Sequence, residues 1–326
     1  MRAMVIERFG GPDVLHPADV PTPEPGPGEV LIRVAYAGVN PADWKCREGW
    51  LSQFFDYKFP FIVGFDAAGI VAKVGQGVDT YKVGDRVVTS SNQGLGEWGT
   101  YAEFVKSSID RVAPLADSVD FKTAASIPTA AVTSWEAMFD TGHLKAGQKV
   151  LIHGGAGGMG SFAIQFGKHI AADVAATCGP ANLDYVRDLG ADRPINYRSE
   201  NVLHAVRAWA PGGVDLIIDT VGQGTLPDGM EMTKHGGAIC PIGTLIKDEP
   251  QFDQTEAQRR GVRIIPTMSN RQRAGAQLRT IVALFGEGRF RAPAIEVLPL
   301  EKAGDAHRRV QDGHVRGKLL LKVADL

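Results

Sequence analysis

An apolar strand that runs straight into a dense glycine turn is the feature that most constrains the fold of this chain. Residues 150–160 read Val-Leu-Ile-His-Gly-Gly-Ala-Gly-Gly-Met-Gly, and a helix-forming segment, 161–168, follows at once. Gly155, Gly157 and Gly160 fit the spacing G-x-G-x-x-G. Glycine permits the tight turn, and its missing Cβ lets a pyrophosphate approach the N–H groups at the helix start. Because a strand precedes the turn and a helix follows it, the pattern predicts a dinucleotide-binding βαβ unit.

Strands and helices alternate from residue 149 onwards. Apolar runs that suit parallel strands buried on both faces are predicted at 150–152, 173–177, 194–197, 214–219, 238–242 and 262–265. Helical segments, among them 183–189 and 200–209, lie between most of these runs. This alternation predicts an α/β fold with a doubly wound Rossmann sheet.

The flanking sequence has a different character. The first 120 or so residues are rich in Gly, Pro and Val, and turn signals separate predicted strands at 30–37, 67–74, 86–89 and 101–105. A helical pattern covers 123–139, and the tail contains a predicted helix at 271–286 and a strand at 317–323. We therefore expect a β-rich, barrel-like domain formed by 1–122 and 266–326, with a nucleotide-binding domain, 123–265, inserted between its halves.

Composition and charge exclude several classes of protein. Lys and Arg number 35 against 37 for Asp and Glu, a net charge of −2, which does not favour nucleic-acid or membrane-surface binding. No apolar run approaches the ~18 residues of a membrane span. Cys46, Cys178 and Cys240 are too few and too scattered for a disulfide framework, and residues 1–6 do not resemble a signal peptide. We expect a protein of the reducing cytoplasm.

Motifs across nearly the whole chain carry a family resemblance. They read 37–43 Ala-Gly-Val-Asn-Pro-Ala-Asp, 64–69 Gly-Phe-Asp-Ala-Ala-Gly, 83–87 Val-Gly-Asp-Arg-Val, 127–133 Ile-Pro-Thr-Ala-Ala-Val-Thr, 150–160, and 317–319 Gly-Lys-Leu. In order and spacing they resemble the medium-chain dehydrogenases/reductases, and among these the zinc-free quinone oxidoreductases. The resemblance implies a GroES-like catalytic domain beside a Rossmann domain, an active site in the cleft between them, and a homodimer joined through the Rossmann sheets.

The positions that resemble zinc ligands carry unsuitable residues. Asn40 stands at the first, 64–66 Gly-Phe-Asp replaces Gly-His-Glu, and the third falls near Thr129. No set of thiolates or imidazoles results, so no metal is expected. The histidines, His153 included, are interpreted as scattered surface residues. Without a Lewis acid an isolated ketone is hard to reduce, whereas a quinone or an α,β-unsaturated carbonyl delocalises the negative charge it receives.

The tip of the second Rossmann strand predicts which nicotinamide binds. Residues 177–182, Thr-Cys-Gly-Pro-Ala-Asn, lack the acid that binds the ribose 2′-hydroxyl of NAD. Asn182 and Tyr197 can donate to a 2′-phosphate, and Arg198 can add charge, although Tyr197 and Arg198 also fit ordinary surface positions. A lysine that the family often carries near Asn182 is missing. The sequence therefore favours NADPH with a modest preference.

Asn40 and Asp43 match the family's Asn-x-x-Asp pattern, which the resemblance places beside the nicotinamide ribose. They are the predicted catalytic residues: Asn40 bonds the substrate oxygen, and Asp43 orders the loop or a ribose hydroxyl, or alternatively caps a helix. With Asn40, Trp44 and Tyr57 are predicted substrate contacts from an aromatic cluster that also fits core packing. No general acid is predicted, and the proton can come from water. The predicted cofactor contacts are Pro41, Thr133, Gly155, Gly157, Gly158, Met159, Gly160, Thr177, Gly179, Asn182, Tyr197, Val221, Ile242, Gly243 and Thr244.

The predicted function is NADPH-dependent reduction of a quinone or an α,β-unsaturated carbonyl. Two alternatives remain open at this level. One is a zinc-independent alcohol or enoyl-thioester reductase of the same superfamily, for which Arg271 and Arg273 are candidates for a cationic patch at the cleft mouth. The other is a non-enzymatic NADPH-binding protein.

Overall fold

A computed structural model describes residues 1–242, 251–313 and 315–326. Gly243 and Thr244, two of the predicted cofactor contacts, lie outside these residues. The chain divides into two compact units, 1–130 with 271–326 and 131–270. These divisions fall several residues beyond the domain limits predicted at 122 and 265.

Secondary structure covers most of the described chain. In chain order its strands are β1 (Arg2–Ile6), β2 (His16–Asp19), β3 (Glu29–Val39), β4 (Phe61–Ile62), β5 (Asp66–Val74), β6 (Arg86–Ser90), β7 (Phe104–Ser108), β8 (Val112–Pro114), β9 (Lys149–His153), β10 (Asp173–Cys178), β11 (Arg193–Asn196), β12 (Val214–Asp219), β13 (Thr233–Pro241), β14 (Arg263–Ile264), β15 (Ile295–Pro299) and β16 (Lys318–Lys322). Its α-helices are α1 (Pro41–Arg47), α2 (Phe121–Ala125), α3 (Pro128–Trp135), α4 (Gly158–His169), α5 (Leu183–Asp188), α6 (Val202–Trp209), α7 (Gly229–Met232), α8 (Gln254–Arg260), α9 (Ala274–Gly286) and α10 (Ala303–Gln311). None of the described helices is long and apolar enough to cross a membrane.

The first unit is built on two sheets whose strands pair antiparallel, except that β15 pairs parallel with β16. Strands β2-β1-β4 form one sheet, and β15-β16-β3-β5-β6-β8 form another, in which β7 also pairs with β3. β3 and β5 pair along most of their length with two register shifts, which bend the sheet around its interior. β16, from the tail of the chain, pairs antiparallel with β3, so residues 318–322 complete this sheet. The expected β-rich, GroES-like architecture is confirmed.

The second unit is a parallel sheet in the order β11-β10-β9-β12-β13-β14. On one face Leu151 and Ile217 pack with Val206 of α6 in a fully buried core. On the other face α4 lies so close that a Cβ on Gly167 would meet Val174 at 2.7 Å. Helices therefore cover both faces, and the doubly wound Rossmann arrangement predicted from the sequence is confirmed.

Two predicted elements differ from the structure. The helix expected over 123–139 is broken, because Pro128 cannot donate the backbone hydrogen bond that would continue α2. α3 therefore starts at Pro128, and a π-helical turn, Glu136–Thr141, follows it. The strand expected from Tyr101 starts at Phe104, because the Tyr101 N–H donates instead to the carbonyl of Val63.

Candidate functional site

The glycine turn joins β9 to α4 within the second unit. Gly154 adopts φ +85°, a conformation that L side chains rarely reach, and the Gly155 N–H donates to the carbonyl of Thr177 at 2.8 Å. A Cβ on Gly160 would meet the Gly154 carbonyl oxygen at 2.3 Å, whereas a Cβ on Gly157 would find only that oxygen, at 3.5 Å. Gly160 is thus needed for the packing of the turn, and Gly157 leaves open space in front of the helix N-terminus. This is the arrangement that a pyrophosphate requires.

His153 connects the turn to the ends of two neighbouring strands. The Gly154 N–H donates to Thr177 Oγ1 at 3.0 Å, so the Thr177 hydroxyl is free to donate to His153 Nδ1 at 2.8 Å. Nε2–H then donates to Thr225 Oγ1 at 2.9 Å, and Thr225 donates to the Gly222 carbonyl at 2.7 Å. His153 is 5% exposed, and burial lowers its pKa, so it is held neutral. Its interpretation as a surface residue is wrong, because both ring nitrogens are used inside the unit.

The carboxyl ends of β9, β10, β12 and β13 bring several predicted contacts to one edge of the sheet. Asp219 ends β12, and its Oδ1 accepts from the N–H groups of Val221 and Gly222 at 3.0 and 2.9 Å. Its carbonyl accepts from the Ile242 N–H at 3.0 Å. Thr177 lies at the same edge, one strand beyond β9. Ligands of doubly wound sheets bind at this edge.

The segment that follows β10, Gly-Pro-Ala-Asn at 179–182, contains polar groups but no acidic residue. Tyr197 is 42% exposed, and a Cβ on Gly179 would lie 3.7 Å from its hydroxyl. Asn182 is partly exposed, and Arg198 is exposed. The Tyr197 hydroxyl thus lies close to Gly179, in the segment where NAD-dependent proteins carry a carboxylate.

Two further predicted cofactor contacts lie on helices. Thr133 is 6% exposed within α3, and the hydroxyl of its neighbour Ser134 donates to the Met159 carbonyl at 3.0 Å. α3 therefore lies against the start of α4 in the second unit. Pro41 is exposed and begins α1 in the first unit, where its missing N–H costs the helix nothing.

Asn40 lies at the centre of a buried polar cluster in the first unit. Its Nδ2 donates to Asp66 Oδ2 at 2.9 Å, and its Oδ1 accepts from the Lys318 ammonium at 2.5 Å. Lys318 also donates to the Val39 carbonyl at 3.1 Å and lies 3.8 Å from Asp66 Oδ2. Burial lowers the pKa of Lys318, while the carboxylates of Asp66 and Asp43 oppose that shift.

Asp43 is fully buried and accepts hydrogen bonds from three elements. Its Oδ2 accepts from the Asn40 N–H at 2.7 Å and from the Tyr101 hydroxyl at 3.2 Å, and its Oδ1 accepts from the Phe65 N–H at 3.1 Å. Burial first, and the neighbouring Asp66 second, raise the pKa of Asp43 to about 7. These contacts support the two structural hypotheses for Asp43, which were a helix cap and an ordering residue for the loop at Asn40.

A directional chain of hydrogen bonds continues behind Asp43. Arg47 can only donate, so His307 Nδ1 accepts from it at 3.1 Å, and the hydrogen on Nε2 faces the Tyr101 hydroxyl at 3.0 Å. Tyr101 in turn donates to Asp43. Burial and the Arg47 charge lower the pKa of His307 to about 3, so it is neutral. His307 is 0% exposed, and its interpretation as a surface histidine is also wrong.

The positions that resemble zinc ligands do come together, but they do not fit zinc. The Thr129 hydroxyl donates to Asp66 Oδ1 at 2.6 Å, and Asn40 binds the other oxygen of the same carboxylate. These residues supply an amide, a hydroxyl and a carboxylate, whereas zinc prefers thiolate and imidazole. The Lys318 ammonium already faces these oxygens, and it would repel a metal cation.

The two aromatic residues predicted to contact substrate are packed among other rings. Trp44 is 2% exposed and meets Trp50 edge to face at 4.9 Å, and Tyr57 meets Phe61 at 4.8 Å. Within the described chain, Trp44 Nε1 and the Tyr57 hydroxyl are buried without a hydrogen-bond partner. Phe54, by contrast, is 59% exposed. The cluster is thus mainly packing, with two polar atoms left over.

Sequence reasoning assigned no role to several residues that organise these sites. Lys318 lies in the Gly317-Lys-Leu319 motif, which contributes to the family resemblance. The motif does not predict that the Lys318 side chain contacts Asn40. Tyr101 and His307 lie far from Asp43 in the sequence, and no local pattern marks them. Asp219 ends an apolar strand, and that position at a carboxyl edge was a usable signal.

Two family models match the chain. The model described as alcohol dehydrogenase GroES-like domain matches residues 26–117, within the first unit. The model described as zinc-binding dehydrogenase matches residues 189–321.

Two relatives are similar to this chain over nearly its whole length. A quinone oxidoreductase of Sus scrofa is 32% identical over 98% of this chain and 97% of its own length. An NADPH-dependent alkenal/one oxidoreductase of Arabidopsis thaliana, a chloroplastic protein, is 30% identical over 98% of this chain and 79% of its own. The crystal structure of an NAD-dependent alcohol dehydrogenase superimposes with a TM-score of 0.90 at 30% identity, covering 99% of this chain and 100% of that one.

Proposed function

Because the chain belongs to the zinc-free quinone oxidoreductase family of the medium-chain dehydrogenases/reductases, we propose that it is an NADPH-dependent reductase of quinones or α,β-unsaturated carbonyls. The observation that carries this proposal is the full-length similarity to quinone and alkenal/one oxidoreductases. Two structural features support it. The glycine turn suits a pyrophosphate, and the Lys318 ammonium contacts Asn40, at a position that resembles a zinc ligand.

The second unit holds the cofactor through its glycine turn and the adjoining strand ends. Backbone N–H groups of Gly158, Met159 and Gly160 at the start of α4 bind the pyrophosphate, which approaches over Gly157. The remaining proposed contacts on the described chain are Thr133, Gly155, Thr177, Gly179, Asn182, Tyr197, Val221 and Ile242, together with Pro41 of α1. Gly243 and Thr244, which the sequence also predicts, lie outside the described residues. When bound, NADPH supplies the hydride.

The first unit supplies hydrogen bonding to the acceptor. Asn40 donates to the acceptor oxygen, where negative charge develops as the hydride arrives. Asp43 holds the backbone N–H groups of Asn40 and Phe65, and it has no exposed surface with which to act directly. Trp44 and Tyr57, from the aromatic cluster that follows Asn40 in the chain, complete the proposed set of acceptor contacts. The proton that completes the reduction comes from water.

Assembly and location belong to the same proposal. A homodimer forms through β14, the strand that ends the parallel sheet within the described part of the chain. Three free, buried cysteines suit a reducing cytoplasm. Light scattering of the purified protein reports the mass in solution, and a monomer at all concentrations would contradict the dimer.

Turnover with a panel of acceptors tests the function. We expect oxidation of NADPH by quinones, enals or enones, with slower oxidation of NADH, and no effect of chelators or of added zinc. Simple ketones and alcohols serve as controls, because they lack a conjugated system. Absence of turnover with every quinone and enone, at concentrations of NADPH that raise the melting temperature, would instead support a non-enzymatic NADPH-binding protein.

A further inference from the structure

The orientation of the Asn40 amide is fixed from both ends. The Lys318 ammonium can only donate, so the Asn40 atom 2.5 Å away must be its oxygen. The other amide atom is then the nitrogen, and it donates to Asp66 Oδ2 at 2.9 Å. The contact with Lys318 therefore excludes the flipped amide, and the contact with Asp66 fits the same orientation. The second Nδ2 hydrogen is the one donor of this side chain that neither contact uses.

Lys318 is also an unusual residue to bury at this position. It is 4% exposed, on a strand of the first unit, and removal of an ammonium from water is unfavourable unless it is paired and hydrogen-bonded. The Val39 carbonyl and Asn40 Oδ1 accept two of its hydrogens, and Asp66 lies 3.8 Å away. A neutral residue would fill the same space without that penalty, but it would leave the buried carboxyls of Asp43 and Asp66 without a cation beside them.

We propose that Lys318 is a positioning residue for the reduction, which acts through Asn40. Its ammonium holds the amide so that the unused N–H points at the acceptor oxygen, and it polarises the amide so that this N–H donates more strongly. The inference rests on the proposed function. Hydride transfer places negative charge on the acceptor oxygen, and a preorganised donor that is itself bonded to a fixed cation stabilises that charge without reorganisation.

The same contacts show how this site differs from that of a zinc enzyme. In a zinc enzyme the metal polarises the acceptor oxygen directly. In this chain the positive charge lies one hydrogen bond further back and is bound covalently to the protein. Because Asn40 transmits only part of that charge, the site suits acceptors that already delocalise an electron pair, which is the chemical class proposed above.

Replacement of Lys318 by Met tests the inference. Single-turnover oxidation of NADPH by an enone is expected to slow about 10- to 100-fold, by analogy with the range seen for residues that orient metal ligands. The loss is smaller with a quinone, because its product anion spreads the charge more widely. The KM for NADPH is unchanged, which a general loosening of the fold would not produce. Lys318→Arg, which keeps a charged donor, recovers part of the rate. Lys322→Met is the matched control, since Lys322 lies on the same strand, is 43% exposed and pairs with Asp325.

A double-mutant cycle decides whether Lys318 acts through Asn40. In an Asn40→Ala background, Lys318→Met should change the rate far less than it does in the wild type. Equal effects in both backgrounds, or a wild-type rate for Lys318→Met, would overturn the inference. A wild type that reduces neither quinones nor enones would overturn the proposed function instead.

A charge-compensated variant covers the case in which Lys318→Met does not fold. Loss of the ammonium alone leaves two neighbouring buried carboxylates, Asp43 and Asp66, without a counter-ion. Lys318→Met combined with Asp66→Asn removes one basic and one acidic group together, so Asp43 is the one carboxyl of the three groups that remains. This double variant should fold, bind NADPH and reduce the enone slowly. A wild-type rate in the folded double variant would count against Lys318.

Discussion

Gly157 and Gly160 lie in one turn, yet the structure predicts opposite consequences of adding a methyl group to each. A Cβ on Gly160 would lie 2.3 Å from the Gly154 carbonyl oxygen and 2.6 Å from the Gly155 Cα, and both are backbone atoms that cannot rotate away. A Cβ on Gly157 would meet only the Gly154 carbonyl oxygen, at 3.5 Å, an ordinary contact. Gly157→Ala should therefore leave the free protein intact, and Gly160→Ala should not.

The magnitudes follow from the backbone. Gly157 has φ −76° and ψ 176°, which alanine adopts without strain. Alanine also lowers the conformational entropy of the unfolded chain, which stabilises the folded state by about 0.4–1 kcal/mol. Gly157 is also the N-cap of α4, where alanine is worse than glycine by roughly a similar amount. These terms nearly cancel. For Gly160→Ala, overpacking against backbone destabilises by at least about 1–3 kcal/mol.

Ligand-induced stabilisation separates folding from binding. NADPH at about 100 times its Kd stabilises the folded state by about 2.7 kcal/mol. If the added methyl group raises Kd about tenfold, the same concentration gives about 1.4 kcal/mol, and about 1.3 kcal/mol of stabilisation is lost. Urea unfolding with and without NADPH measures both quantities for each variant. A Gly157→Ala protein that binds NADPH like the wild type would refute the placement of the pyrophosphate over this residue.

Three further predictions concern charge and pH. Because burial raises the pKa of Asp43 to about 7, its folded form binds more protons than the unfolded chain between its ordinary value near 4 and that pKa, and its contribution to stability falls as pH rises through this window. Asp43→Asn should therefore gain stability relative to the wild type as pH rises from about 4 to about 7 in urea titrations, and a constant difference would contradict the shift. His307 shows the opposite sign: burial lowers its pKa from 6.5 to about 3, so stability is lost as pH falls through that window, and His307→Gln should lose less than the wild type in acid unfolding. Gly179→Asp places a carboxylate beside Tyr197, where its repulsion of the 2′-phosphate should weaken NADPH binding at least about tenfold and favour NADH. The uncharged control Gly179→Asn should not change the preference. Equal Kd values of the two variants for NADPH would contradict the placement of the 2′-phosphate at this position.

The predictable part of the fold rests on local patterns. The apolar run before the glycine turn and the helix after it define β9 and α4, because tight backbone geometry and helix initiation are decided by neighbouring residues. The parallel strands were recognised for the same reason, through continuous apolar runs that only a sheet covered on both faces can bury. The apolar pattern over 123–139 predicts one helix, but Pro128 has no backbone N–H to donate, and the structure has two helices there.

The candidate site was predictable only where its residues are close in sequence. Asn40 and Asp43 are three positions apart, and their pairing follows from the capping geometry of a helix start. The contacts of Asn40 with Asp66 and Lys318 join positions 26 and 278 residues away along the chain. The prediction of surface positions is wrong for His153 and His307. Both are buried against partners from distant parts of the chain, Thr225 for His153 and Arg47 for His307.

The sequence by itself therefore determined the two fold types, the glycine turn, the missing acid after β10 and the unsuitable residues at the zinc-ligand positions, since each depends on residue identity and short-range spacing. Only the tertiary structure decided that an ammonium ion faces those ligand positions, that Asp43 points inward, and that two neutral histidines are built into the interior. The physical reason is that hydrogen-bond direction, burial and charge compensation are properties of groups brought together across the chain, and no single segment contains them.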